Sequence, residues 1–444
     1  MNIFISGLAY MDYRGEQIND VVFLKRITEL FNLYSNVNTN YLARSSSQGI
    51  NQKLLFDRVN IQSEYIDLDK VSRNKKYFKK YEFEDIKKIA QRNMVFSSKM
   101  GYEKKIDDIL FRIIKLLNRL HEIHESKPMD RIIVFGDSLD SETIRMFATV
   151  NNISCFSVEN GYFRPFTLQI DPKGVNAFNS VPRNKEFYNN IEIDHDRLNN
   201  FLFRPEKAKL VHDEIDSIRK IFLSYYEGDS QTVDSKERIE NSNLDEGDSL
   251  KFDSYIYVPL QLETDLQMIK NSSYDSLLEV VNDINRFYKS MQLSKQNLKL
   301  VFKFHPLWTS EQHLRSYQKV KNKIDKHPYM YLVDDDNQIL LKNAKAIMVV
   351  NSTVGFEAIT LKKPVITFGE AFYNIDGIVM NVRKNQSINI NEFYKYLKNG
   401  PDPYLVNKFV YYTRFNYFFE VYRTGPDTDS LRDIVQYIIS LRRK

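Results

Sequence analysis

Five short stretches of the chain combine carboxylates, cations and hydroxyls in ways that could serve group transfer. The first is Glu159-Asn160-Gly161-Tyr162-Phe163-Arg164-Pro165, continued by Asp171, Gly174-Val175-Asn176 and Ser180-Val181-Pro182-Arg183. A carboxylate at a strand end, followed by glycine and an Arg-Pro turn, puts an acid or base and an anion-binding guanidinium at one mouth. Glu159 is equally readable as a helix cap, and Arg164 as the partner of a surface acid. The second stretch, Val258-Pro259-Leu260-Gln261-Leu262-Glu263-Thr264-Asp265, ends a strand and turns Asp265 toward a cleft, or uses it to cap a helix. The third, Lys303-Phe304-His305-Pro306, offers an ammonium and an imidazole beside a proline-fixed turn, which suits a phosphate.

The fourth stretch is Asn351-Ser352-Thr353-Val354-Gly355-Phe356-Glu357-Ala358. Hydroxyls and backbone N–H groups at a helix start bind phosphate readily. Gly355 would permit close approach, and Glu357, one turn in, could reach ribose hydroxyls, although Ser352 or Thr353 also reads as an ordinary cap. The fifth, Phe368-Gly369-Glu370-Ala371-Phe372-Tyr373 with Gly377, forms a loop where backbone contact with a ligand or acceptor is expected. Two further patterns imitate metal sites. Asp334-Asp335-Asp336 reads as a solvated loop and helix cap, and His121 with His124 as part of a surface helix lacking a third ligand. No metal and no cofactor is expected.

These residues need strand ends to carry them. Apolar side chains at Ile106, Ile109, Leu110, Ile113, Leu116, Leu117 and Leu120 repeat at helical spacing, and the pattern from Ile132 to Val158 reads strand, turn, helix, strand, delivering Asp137 and Glu159. From Tyr255 to Phe368, strands and helices alternate as in a doubly wound sheet. The expected boundaries are an α/β domain over 1–223, an acidic linker over 224–250, a second α/β domain over 251–385, and a helical segment over 386–444 packing back on the first domain. The aromatic stretch at 409–422 and the basic end LRRK also suggest contact with membrane lipid.

The 444 residues suffice for two cores. One cysteine, Cys155, excludes a disulfide framework and suits a reducing compartment, and the chain shows no signal-like start and no long apolar run, so a cytoplasmic protein is expected. The net charge of +5 is too small to identify an anionic partner, and nothing in the sequence supports nucleic-acid binding.

Taken in order, the five stretches resemble the capsule polysaccharide biosynthesis proteins of Gram-negative bacteria, of the β-Kdo transferase type (Kdo, 3-deoxy-octulosonic acid). The likeness rests on GYFRP, GVN…S…PR, VPLQ…D, K…HP and NSTVGFEA…KPV…FG…FY, spread over roughly residues 130 to 380. It implies a GT-B-like fold with two Rossmann-like domains facing a cleft, 1–223 on the acceptor side and 251–385 binding the nucleotide sugar. It also implies retaining, metal-independent transfer of Kdo from CMP-Kdo to a lyso-phosphatidylglycerol or Kdo-linker acceptor. In that reading Asp265 is the nucleophile and Glu159 the acid or base. Lys303, His305, Ser352 and Thr353 hold the CMP phosphate, Glu357 the ribose, and Arg164 and Gln261 complete the donor site. The protein would work at the inner membrane beside other capsule assembly proteins. Another CMP- or CDP-activated donor, or a non-catalytic role in capsule assembly or export, are the alternatives.

Overall fold

The computed structural model describes residues 1–6, 18–44, 56–202 apart from 58, 75 and 165, 252–306, 311–421 apart from 385 and 387, and 428–441. The expected 224–250 linker and the final LRRK lie outside these, except for Leu441.

Seven strands form a first sheet, with β1 (Asn2–Ser6) and β4 (Arg131–Phe135) at its middle. On one side follow β2 (Asn38–Arg44) and β3 (Ser63–Ile66). On the other stand β5 (Ser154–Asn160), β6 (Thr167–Asp171) and, at the edge, β13 (Phe419–Glu420). The pairs from β3 through β5 are parallel, whereas β6 runs antiparallel to both of its neighbours. Parallel strands are covered on both faces and so read as continuous apolar runs. In β4, Ile133 and Phe135 enter one core while Ile132 and Val134 enter the other. Helix α1 (Ile18–Asn32) covers the first face; α2 (Phe83–Lys99), α3 (Ile106–Ser126) and α4 (Leu139–Val150) cover the second.

The second sheet has six strands, all paired in parallel. From the central β7 (Tyr255–Pro259) the chain runs outward through β8 (Lys299–Lys303) and β9 (Met330–Leu332). It then returns to the other flank of β7 for β10 (Ala346–Val349), β11 (Val365–Thr367) and β12 (Val379–Asn381). The order therefore reverses between β7 and β10, the place where open parallel sheets bind ligands. Between the sheets in sequence come the short helices α5 (Lys185–Asn189) and α6 (His195–Leu202), and around the second sheet α8 (Leu277–Ser290) and α9 (Glu311–Ile324). Three elements open from the strand ends that concern the site: α7 (Leu266–Asn271) after β7, α10 (Asn337–Asn343) after β9, and α11 (Thr353–Thr360) after β10.

The segment after residue 386 divides its allegiance, unlike the expected single return to the first domain. Helices α12 (Ile390–Asn399) and α13 (Pro403–Tyr412) stay on the second sheet, burying Phe393 on one face and Leu405, Val406 and Phe409 on the other. Only β13 and α14 (Thr428–Ser440) rejoin the first sheet, because Leu431, Ile434, Val435 and Ile438 make a helical stripe that fills its core beside Ile3 and Ile133. The aromatic stretch expected to meet lipid is largely interior: Phe409, Tyr417 and Phe418 are buried, and Arg414 is 3% exposed between the rings of Phe166, Phe201 and Phe415. Among the described residues no helix is long and apolar enough to cross a membrane.

Candidate functional site

Asp265 follows β7 and caps α7, accepting the Gln267 backbone N–H at 2.8 Å. Capping does not exhaust it, since a carboxylate can accept several hydrogen bonds. Burial holds its carboxyl above the ordinary value, opposed by the Gln267 N–H, the charge of His305, the Gln261 amide and the charge of Arg164. Loss of water lowers the imidazole of His305, which Asp265 raises and Arg164 lowers further.

Behind Asp265 stands a brace that the sequence reading assigned to the donor. The Gln261 side-chain amide donates to the Asn351 side-chain carbonyl at 3.0 Å and accepts the Asn351 backbone N–H at 3.0 Å. Asn351 in turn donates to the carbonyls of Gln267 at 3.0 Å and Asn271 at 3.2 Å. The turns after β7 and β10 are thereby locked together. Both residues are buried, so Gln261 works as scaffold.

At the start of α11, the uncharged Ser352 hydroxyl takes, among the described residues, the Val354 N–H at 3.3 Å. Thr353 is the first helical residue. The glycine in this motif has a packing reason rather than the expected ligand approach: a Cβ on Gly355 would sit 2.6 Å from the Tyr373 hydroxyl, which donates to Ser352 O at 2.6 Å. Likewise Gly369 and Glu370 lie against α7, a Cβ at Gly369 meeting Asn271 O at 2.9 Å and Glu370 N–H donating to that oxygen at 2.7 Å. Glu357, half-buried, accepts from Gln338 at 3.4 Å; desolvation raises its carboxyl, with Gln338 and Arg164 opposing.

The first domain contributes across the junction. Tyr162 and Phe163 leave the first sheet and enter the second domain's core, with ring centroids 4.6 Å from Phe372 and 5.0 Å from Phe356 respectively. This anchors the exposed Arg164, whose charge acts on Asp265, His305 and Glu357 together. Glu159, half-buried on β5, accepts the Asn160 N–H at 2.8 Å, and the buried Tyr162 phenol feels both Asp265 and Glu159. The structure thus gathers Arg164, Asp265, His305 and Glu357 into one electrostatic neighbourhood, which Glu159 adjoins through Tyr162.

Lys303 is directed elsewhere. Its ammonium bonds Asp335 O and lies 3.6 Å from the Asp334 carboxylate, in the loop after β9. Asp336 caps α10 by accepting the N–H groups of Gln338 and Ile339 at 2.8 and 3.2 Å. The acidic triplet is therefore a loop and cap. His121 is not on a surface: it is 1% exposed, stacked on Tyr77 at 4.1 Å and bonded to the Tyr81 hydroxyl at 2.8 Å, and burial pushes its imidazole down to about 4. Among the described residues no three His, Cys, Asp or Glu side chains come together as a metal site.

Sequence reasoning missed the supports. Asn176, in the left-handed region at φ 56°, accepts the Tyr162 hydroxyl at 3.2 Å and the Gln169 amide at 3.0 Å. Asp171, fully buried, takes the Ser180 N–H at 2.6 Å and the Tyr417 hydroxyl at 2.9 Å. The signal was present, since GVN and the Ser-Val-Pro-Arg run follow the first motif, but pattern alone does not show that a polar residue serves the interior.

Two doubly wound sheets with a polar site at the reversal of strand order define a two-domain α/β protein of the GT-B-like type. Comparison places it more narrowly. The chain belongs to the capsule polysaccharide biosynthesis protein family, whose model matches residues 130–395. It is 26% identical to the capsule polysaccharide export protein KpsS of Escherichia coli, over 58% of this chain and 72% of that one. It is 28% identical to protein FixF of Sinorhizobium fredii, over 65% of this chain and 60% of FixF, so it spans less than two thirds of that relative. Among solved structures, a β-Kdo 2,7 transferase, KpsC of Thermosulfurimonas dismutans, matches 81% of this chain and 96% of its own with 15% identity and a TM-score of 0.38. The UDP-GlcNAc 2-epimerase of Methanocaldococcus jannaschii matches 99% of each chain with 13% identity and a TM-score of 0.37.

Proposed function

We propose that this capsule biosynthesis protein is a glycosyltransferase that moves Kdo from CMP-Kdo with retention of configuration. The acceptor in this reading is lyso-phosphatidylglycerol or a Kdo linker, met at the inner membrane among other capsule assembly proteins. The observation that carries the proposal is Asp265, a desolvated carboxylate at the switch point that shares its field with His305 and Arg164.

Asp265, ionised, attacks the anomeric carbon of the donor sugar while the bond from that carbon to the CMP phosphate oxygen breaks, its electron pair leaving with CMP. The charge that develops on CMP is met by Arg164, His305 and the N-terminal end of α11 at Ser352 and Thr353. An acceptor hydroxyl then attacks the same carbon, Glu159 takes its proton, and the bond to Asp265 breaks. Two displacements return the original configuration, as in retaining glycosidases. Glu357 is within the same field to receive ribose hydroxyls. Lys303, at the end of β8, supports the loop after β9, and its ammonium would meet the phosphate by exchanging Asp335 O for it.

The test is incubation with CMP-Kdo generated in situ and a fluorescent lyso-phosphatidylglycerol, followed by intact mass spectrometry of lipid and protein. Added Kdo on the lipid, or on Asp265, supports the proposal; neither species, with CMP-Kdo present, removes it and sends the same assay to other CMP and CDP donors. The word export in the name of the E. coli relative favours a second reading, a non-catalytic assembly partner, for which no cytidine nucleotide would bind.

A further inference from the structure

The short helix α7 holds more than Asp265. Its Lys270 side chain, 4% exposed, crosses to the first domain and places its ammonium 3.0 Å from Asp137 O, 3.6 Å from the Asp137 carboxylate and 3.1 Å from Glu142. Gln267, on the same helix, also reaches the Asp137 carboxylate at 3.5 Å. Asp137 is held from its own side by Arg145 at 2.5 Å, and Glu142 by Arg92 at 2.8 Å. Two cations and two carboxylates of the first domain thus surround one buried cation of the second.

This cluster is joined to both carboxylates of the candidate site by short links. Asp137 follows Gly136, whose N–H donates to Val158 O at 3.1 Å, directly before Glu159. On the other side Lys270 lies five positions beyond Asp265 on the same short helix, and α7 is pinned through Asn351 to the start of α11. A displacement of α7 relative to Asp137 therefore moves Asp265 relative to Glu159.

We infer that Lys270 is a positioning residue, which sets Asp265 against Glu159 by tying α7 to the end of β4. The inference rests on the transferase reading for its catalytic consequence, but not for its structural one. Removing Lys270 leaves Asp137 with Arg145 and Glu142 with Arg92, so each buried acid keeps a cation and the fold has means to survive. An ångström of misplacement costs about a hundredfold in rate, while the nucleotide pocket on the second domain stays whole.

The experiment compares wild type, Lys270→Met and Lys270→Arg by transfer kinetics, CMP binding calorimetry, and pulsed electron-spin distances between labels on Glu122→Cys and Lys398→Cys in a Cys155→Ser background. The expected result for Lys270→Met is kcat lower by about 10- to 100-fold, CMP affinity within about twofold, and a broadened interdomain distance distribution, with Lys270→Arg restoring much of each. An unchanged distance distribution overturns the inference, as does a loss of CMP affinity that matches the loss of rate. If wild type transfers nothing while Lys270→Met still broadens the distribution, the tie stands and the transferase reading fails. If wild type transfers and Lys270→Met transfers equally well, the inference fails and the reading stands.

Discussion

Helices α10 and α11 open from strand ends of the same sheet, yet they treat anions in opposite ways. At α10, Asp336 brings its own carboxylate and satisfies two N–H groups with it. At α11, Ser352 is neutral and satisfies one, more loosely. The positive end of α10 is therefore neutralised from within, whereas that of α11 remains available to a phosphate. Helix α7 is an intermediate case, since Asp265 accepts one N–H and remains a desolvated carboxylate. What separates a cap from a site here is whether the helix supplies the charge it needs.

The largest effect expected from this contrast is at α7. Asn caps as well as Asp, so Asp265→Asn should keep the melting temperature within a few degrees yet lower transfer by about a thousandfold or more. Normal transfer by that variant would show that capping is its only task. At α11, Ser352→Asp should reverse two properties at once. The added carboxylate strengthens the cap but repels the nucleotide phosphate, so calorimetry should find CMP binding weakened by about tenfold or more, with a melting temperature equal or higher. Tighter binding would mean that the phosphate lies elsewhere.

The titration of Asp265 gives a third check. Burial raises its carboxyl, and only the ionised form attacks, so transfer should fall on acidification and begin to fall above the ordinary carboxylate range. A rate profile flat down to about pH 4 would remove Asp265 from the chemistry. The smallest effect belongs to α10: Asp336→Ala should lower stability by about 1 kcal/mol in denaturant titration and leave CMP affinity unaltered.

Much of the second sheet was legible because parallel strands buried on both faces declare themselves as apolar runs, and β7 through β11 fall within the Tyr255–Phe368 stretch where strands and helices were expected to alternate. The same logic placed Asp265, Ser352 and Thr353 at helix starts after strand ends, since each follows such a run. Several elements escaped it. Helix α7 is only six residues long, too short for a periodic stripe, and β13 is two residues paired with a strand some 250 positions earlier. Lys303 and Gln261 show a different limit. Their positions in the chain were right for a site, but the direction of a side chain depends on neighbours distant in sequence, here Asp335 and Asn351. His121 escaped for the same reason, its cage being built from Tyr77, Tyr81 and Phe147.

The return of β13 and α14 to the first sheet bears on how the chain comes to be folded. Arg131, on a central strand, donates to Leu441 O at 2.7 Å across 310 positions of sequence, and four side chains of α14 complete the core around Ile3 and Ile133. During synthesis the second sheet, which is continuous in sequence, can close while the ribosome still holds the tail. The first sheet has to wait for α14, with one face of its core uncovered until that helix emerges. Strands made early are thus completed late, and removing α14 should harm β1 and β4 before it harms the second sheet.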